Sequence, residues 1–256
     1  MALWEKHAYT TKAAFFADLE AFGTANGWVS SSTGTSATLI KGGITANFAD
    51  NSVGFSCTLT YGGLTSKTAY GLLNTYGLGS NYVFVSCGNN LFVGTSTYDD
   101  GTQTNFWGYR WLGVMNVVDK IGNWNGGPLL SGGWYPSTTN YQYNNYFMGH
   151  NNAMNTYGAL FYEGAWTTTG AGSIWANGGE TIFLSTPNYF NYAVVPIPFI
   201  LCLYNTDITL LHPIGYAPDV FRGYGGDCFN NEELTIGADT YLIWDEHTYD
   251  ILFKLS

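Results

Sequence analysis

Glu163, in Phe161-Tyr162-Glu163-Gly164, and Glu180, in Gly178-Gly179-Glu180-Thr181, sit among apolar neighbours. Such surroundings raise a carboxyl pKa, the condition for a general acid. Glycoside hydrolysis also needs a second carboxylate at a set separation, which nothing in the sequence fixes here. His7, His150, His212 and His247 are scattered and read as ordinary structural or surface histidines, with no Gly-x-Ser-x-Gly elbow, His-Glu-x-x-His or phosphate-binding glycine loop beside them. Cys57, Cys87, Cys202 and Cys228 lie far apart without a CxxC pair, the pattern of buried free thiols rather than a zinc knuckle. The expectation is therefore a protein that is not an enzyme, with no catalytic residues, metal or cofactor. A polysaccharide depolymerase built on Glu163 and Glu180 is the most remote alternative.

Two further groupings suit binding. Trp124, Trp134 and Tyr135 stand among Asn123, Asn125, Gly126 and Gly127. Aromatic faces stack on the C–H face of a sugar and amides pair with its hydroxyls, so these rings are candidates for a host-surface glycan. The same composition serves a packed loop at a subunit contact. Tyr98-Asp99-Asp100-Gly101 offers Asp99 and Asp100 as weak calcium candidates, but calcium takes six to eight oxygens and Asp-Asp-Gly is a good turn by itself.

Composition narrows the partners. Among 256 residues only 10% are charged, 18% are aromatic and 33 are Gly. Eight Lys and Arg against 18 Asp and Glu give a net charge of -10, which argues against nucleic acid or an anionic membrane as partner. With 46% hydrophobic residues spread along the chain, it is expected to fold. Charges at Glu5, Lys6, Lys12, Asp18 and Glu20 interrupt any signal-peptide core, and the apolar stretch 193–204 is too short to cross a bilayer and reads as a buried strand.

The elements that must position these residues are mostly strands. Phe15, Leu19 and Phe22, with Thr10-Thr11 before them and Gly23 or Gly27 after, predict one short amphipathic N-terminal helix over about 11–23. Beyond Trp28 the period becomes two. Runs 36–40 and 44–48 flank Lys41-Gly42-Gly43, and runs 82–87 and 91–93 flank Gly88-Asn89-Asn90, predicting two hairpins. Further runs at 181–184, 194–203, 208–211, 234–236, 241–244 and 251–255 fit strands. Between 101 and 179 alternation is scarce, and long loops or an irregular excursion are expected. The fold class predicted is mainly β, a β-sandwich or jelly-roll-like single domain over 1–256 with an N-terminal helix.

Residues 210–256 read Leu-Leu-His-Pro-Ile-Gly-Tyr-Ala-Pro-Asp-Val-Phe-Arg-Gly-Tyr-Gly-Gly, then Glu232-Glu233-Leu-Thr-Ile-Gly-Ala-Asp-Thr-Tyr-Leu-Ile-Trp, closing on an alternating strand. This resembles the closing segment of tailed-bacteriophage virion structural proteins, where a Pro-Ile-Gly turn precedes an Arg-Gly pair, an acidic residue and a Thr-Ile-Gly hairpin. The helix ending at Asn26-Gly27-Trp28 resembles the opening of the same proteins. The resemblance covers about a quarter of the chain, at its two ends, and implies a β-rich building block of the virion, tail, baseplate or neck associated. Its partners would be copies of itself and other virion proteins, and it would be made in the host cytoplasm and released by lysis. Low charge and abundant Tyr, Trp, Asn and Gly suit such a subunit, because charges buried at contacts cost desolvation. A receptor- or glycan-binding tail component is the alternative. Arg222 is one of two Arg residues, and beside Glu232 or Glu233 it would form a structural ion pair pinning the C-terminal hairpin.

Overall fold

The computed structural model describes residues 3–51, 54–73, 81–96, 109–118, 124–132, 158–169, 174–176, 196–205, 210–223, 233–245 and 250–256. The protein is mainly β and sandwich-like, with three antiparallel sheets and, among the described residues, one helix. No helix among them is long and apolar enough to cross a membrane.

The helix α1 spans Lys12–Ala25. The Thr11 hydroxyl accepts the Ala14 N–H at 3.1 Å, satisfying one of the donors a helix start leaves open. At the other end Asn26 caps it and Gly27, at φ 79°, turns the chain out. Phe15, Phe16, Leu19 and Phe22 are all fully buried, and each ring or branch so removed from water contributes about 1.5–3 kcal/mol.

The first sheet contains β2 (Val29–Thr33), β3 (Ser36–Lys41), β4 (Ile44–Asn51), β5 (Gly54–Tyr61) and the two-residue β6 (Leu64–Thr65), in that order, with β7 (Ala69–Leu72) paired to β5. Its β3–β4 hairpin turns at Gly42-Gly43, with φ of 59° and 79°. A two-residue turn with both φ positive matches the twist of the flanking strands, and glycine enters it without a Cβ penalty. The central sheet orders β1 (Trp4–Ala8), β8 (Asn81–Cys87), β9 (Asn90–Ser96), β10 (Tyr109–Val117), β11 (Gly127–Gly132), β12 (Gly158–Tyr162) and β13 (Ala165–Thr169). The third sheet orders β14 (Ile174–Ala176), β15 (Ile197–Asn205), β16 (Leu210–Gly223), β19 (Asp250–Lys254), β18 (Asp239–Asp245) and β17 (Glu233–Ile236).

These sheets make three layers. Tyr82, Phe84, Leu91, Val93, Leu112, Val114 and Leu130 turn one face of the central sheet toward α1 and the first sheet, where they meet Phe15, Phe48 and Phe55. The intervening residues Val83, Val85, Phe92, Met115, Val117 and Leu129 turn the other face toward Phe199, Leu201, Val220, Leu242 and Phe253 of the third sheet. Both faces of the central sheet are thus covered. An antiparallel sheet usually keeps one face wet and alternates in polarity; a doubly covered one reads as continuous apolar sequence instead. This is why alternation is scarce in β10 and β11, which lie within 101–179.

The stretch Pro213-Ile214-Gly215, framed by the resemblance as a turn, runs inside β16. The ladder to β15 shifts there, pairing Leu201 with Gly215 but Cys202 with Pro213. A larger bulge follows: Phe199 pairs with Ala217 while Pro198 pairs with Phe221, so residues 218–220 have no partner on β15. Bulges let a strand carry Pro and bend without ending.

Candidate functional site

The expected site residues fall in different places. Trp124 lies just before β11, half-buried, with its ring 5.1 Å from that of Tyr162. It covers two glycines: a Cβ on Gly127 would meet the indole at 3.2 Å and one on Gly215 at 3.3 Å. The ring therefore closes the seam between the central and third sheets, beside the isolated bridge in which Val118 N–H donates to Tyr216 O at 2.9 Å and Tyr216 N–H to Val118 O at 3.1 Å. Trp134, Tyr135, Asp99, Asp100, Glu180 and Glu232 lie outside the described residues. Glu163 is exposed at the tip of the β12–β13 hairpin, at φ 50°. Glu233 is exposed and its Oε1 accepts the Trp4 indole N–H at 2.7 Å, tying the edge of the third sheet to the edge of the central one. Arg222 pairs through its backbone with Ile197 and Ile251, and β19 and β18 separate its strand from that of Glu233.

Two polar clusters were not legible as such. His7 lies opposite Tyr82 in the β1–β8 ladder, and the rings stack with centroids 5.3 Å apart. His7 Nε2 is 3.2 Å from Glu5 Oε2, and Nδ1 is 3.6 Å from Asp18 Oδ2. The Tyr82 hydroxyl donates to the same Asp18 oxygen. Burial, and then the Asp18 carboxylate, hold the Tyr82 phenol well above its ordinary pKa. It remains a neutral donor, so the cluster joins β1, α1 and β8 rather than offering a nucleophile. The three residues come from distant points in sequence, and only their assembly on facing elements defines the cluster.

The second cluster joins all three layers. The Lys41 ammonium, at the end of β3, donates to Asn26 O at 3.1 Å and to Gly88 O at 2.9 Å, and stands 5.7 Å from the centre of the Trp28 ring. Burial lowers its pKa. Next to it the buried Asn90 reaches Pro218 of the third sheet, and Asp219 follows at φ 64°, a conformation uncommon for a residue with a Cβ. Asp219 Oδ2 lies over Gly88, where a Cβ would come within 2.6 Å of it. Burial pushes the neighbouring Cys87 thiol far up in pKa, leaving it unreactive. This cluster holds layers together.

The outward face of the first sheet is different in kind. Register places Val29, Ile40, Thr45, Thr60 and Thr65 in one row. Ser31, Thr38, Asn47 and Thr58 form the next, and Thr33, Ser36, Ala49 and Ser56 the third. None of these residues is charged. Hydroxyls bond along the rows: Thr38 Oγ1 to Asn47 Oδ1 at 3.1 Å, Thr60 to Thr65 at 3.1 Å, and Thr33 to Ser36 at 2.8 Å. Of the charges bordering this sheet, Lys12 is bonded to Asp50 and Glu20 to Ser32. The result is a neutral, hydroxyl-lined surface on a chain of net charge -10.

No family model matches the chain, and no curated protein matches it in sequence.

Proposed function

We propose that the chain is a structural subunit of a tailed-bacteriophage virion, tail or baseplate associated, that works by packing against copies of itself and neighbouring virion proteins. The observation that carries this reading is the uncharged outer face of the first sheet. Protein contacts deplete charge at their centre, because each buried ion must be paired or desolvated at a cost of several kcal/mol. A subunit with surplus negative charge needs such a face to approach another copy. The resemblance at the two ends of the chain points the same way.

The test is to purify particles on a density gradient and measure the copy number of this chain by quantitative mass spectrometry. A fixed stoichiometry, such as a multiple of three or six, is expected of a symmetric tail or baseplate component. Absence from purified particles would overturn the reading, and glycan-binding and hydrolysis assays on the free protein would then decide between the receptor-binding and depolymerase alternatives.

A further inference from the structure

The edges of the three sheets are protected unequally. β1 carries Glu5 and Lys6, and β17 carries Glu233 bonded to Trp4. β6 is two residues long and its Leu64 O accepts the Trp166 indole N–H of β13 at 3.1 Å. β14 has three residues. β2 is the contrasting case: five residues, Val-Ser-Ser-Ser-Thr, in unbroken register with β3, with no charge, proline or bulge. Proteins ordinarily blunt a free edge with one of those devices. Val29 is 72% exposed, and its neighbour across the ladder, Ile40, 41%.

Antiparallel pairing alternates the direction of the backbone groups. Counted from the closing pair Thr33 and Ser36, the residues Val29, Ser31 and Thr33 bond inward to β3, so Ser30 and Ser32 turn their N–H and C=O outward. Two β2 strands related by a twofold axis at Ser31 would match Ser30 to Ser32 and Val29 to Thr33. That exchange fills all the outward groups and opposes no charged residue of the strand itself, the Glu20 carboxylate of α1 being held by the Ser32 hydroxyl. Beside the edge, α1 presents Ala13, Ala17, Ala21 and Thr24 as exposed residues, with Ala13 against Gly34 of the β2–β3 turn. These short side chains leave room for a second α1.

We propose that β2 is a copy-to-copy contact, joining two first sheets into one continuous antiparallel sheet across a twofold axis at Ser31. A second copy is favoured over a foreign strand because the edge is self-complementary in hydrogen bonding. Moreover, two chains of like net charge meet with least repulsion where neither carries a charge. The strand is about 17 Å long and the helix about 21 Å. Together they offer roughly 400 Å² per copy, about half of the standard ~800 Å². The contact is accordingly weak in dilute solution and is completed by other contacts in an assembly. The inference uses the self-association part of the proposed function but does not need the virion assignment.

The test is disulfide trapping of full-length Ser31→Cys under mild oxidation. A pair on the axis is a non-hydrogen-bonded one with Cα atoms about 4.5 Å apart, within disulfide range. Covalent dimer is expected at least tenfold faster than for Thr58→Cys, which lies in the same row three strands away, or for the wild type. Ser30→Pro in the Ser31→Cys background removes an outward N–H, with the long 3.4 Å bond from the Ser30 hydroxyl to Trp28 O, and should slow trapping at least tenfold with an unchanged circular dichroism spectrum. If that double variant does not fold, sedimentation at high concentration replaces it: wild type should self-associate and Ser31→Lys should not. Trapping no faster than in Thr58→Cys, or Ser31→Lys associating like wild type, would overturn the contact. Trapping in a protein absent from particles would uphold it and sink the virion reading alone.

Discussion

Asn90 and Pro218, 128 residues apart in sequence, are joined by a 2.6 Å hydrogen bond from the Asn90 side-chain amide to the Pro218 carbonyl. The Asn90 side-chain oxygen accepts the Asn116 N–H at 2.9 Å, so one buried side chain serves β9, β10 and the bulge of β16. The bulge brings Asp219 over Gly88, and Lys41 reaches the Gly88 carbonyl from the first sheet. All three layers thus meet in one polar cluster, in addition to the polar contacts that join them in pairs and the apolar cores between them.

Replacing Asn90 with Leu keeps the volume but withdraws both bonds. Leaving a buried donor and acceptor without these partners costs about 1–3 kcal/mol each, so Asn90→Leu is expected to lose about 2–5 kcal/mol in urea unfolding. A loss under about 0.5 kcal/mol would show that the two bonds contribute nothing net.

Gly126 and Gly164 separate two costs that glycines usually combine. Both have positive φ, 82° and 84°. A Cβ at Gly164 meets nothing within 4 Å, whereas one at Gly126 collides with the Val117 carbonyl oxygen. Gly164→Ala should cost only the left-handed penalty, about 1–2 kcal/mol. Gly126→Ala should cost at least about 1–3 kcal/mol more, since backbone must shift to admit the methyl group. Equal thermal shifts in the two variants would contradict the close approach at Val117.

Among the described residues, buried acids weaken the fold at alkaline pH. Burial holds the Cys57 and Cys87 thiols and, with Asp18, the Tyr82 phenol well above their ordinary pKa values. A raised pKa means the folded state binds more protons than the unfolded one above the unfolded pKa. Stability is therefore complete below about pH 8.5 and falls as the thiols of the unfolded chain ionise. Each thiol adds a slope of up to about 1.4 kcal/mol per pH unit, with Tyr82 joining above about pH 10. Chemical denaturation between pH 7 and 10.5 should show this decline, and Cys57→Ala with Cys87→Ala should flatten it below pH 10. An unchanged slope in the double variant would refute the assignment to the thiols.

Legibility in the sequence followed the physics of burial. α1 was readable because Phe15, Leu19 and Phe22 recur at helical spacing behind a Thr11 cap, and it runs two residues past the expected end because Asn26, not Gly23, caps it. The hairpin at Gly42-Gly43 was readable from one-sided alternation and turn glycines, and that at Gly88 from short apolar runs on either side of Gly-Asn-Asn. β10 and β11, buried on both faces and so without a polar half-period, were not. β2 was missed for the opposite reason: Val-Ser-Ser-Ser-Thr has no buried side chain to mark it as a strand. Among the candidate site residues, Trp124 stood out by its type, but its position over Gly127 and Gly215 depends on contacts between sheets that local spacing does not encode. The His7, Asp18 and Tyr82 cluster is equally a product of tertiary packing.

Trp124 and Gly215 provide a test of the seam between the central and third sheets. The indole is half-buried, so Trp124→Ala should cost about 2–3 kcal/mol, below the 3–5 of a fully buried aromatic. Gly215→Ala places a methyl 2.9 Å from Val118 O and 3.3 Å from the indole, and is expected to destabilise by about 1–3 kcal/mol. In the double variant the methyl gains room on the indole side but still presses on the Val118 carbonyl. The combined loss should therefore fall short of additive by about 0.5–1.5 kcal/mol, measured as a double-mutant cycle by thermal and urea unfolding. Strict additivity would mean that the two residues do not share the seam. Retention of Trp124→Ala on host-surface polysaccharide, assayed below its melting temperature, distinguishes the roles. A ring that only closes the seam leaves retention unchanged, whereas a glycan platform loses it at full fold.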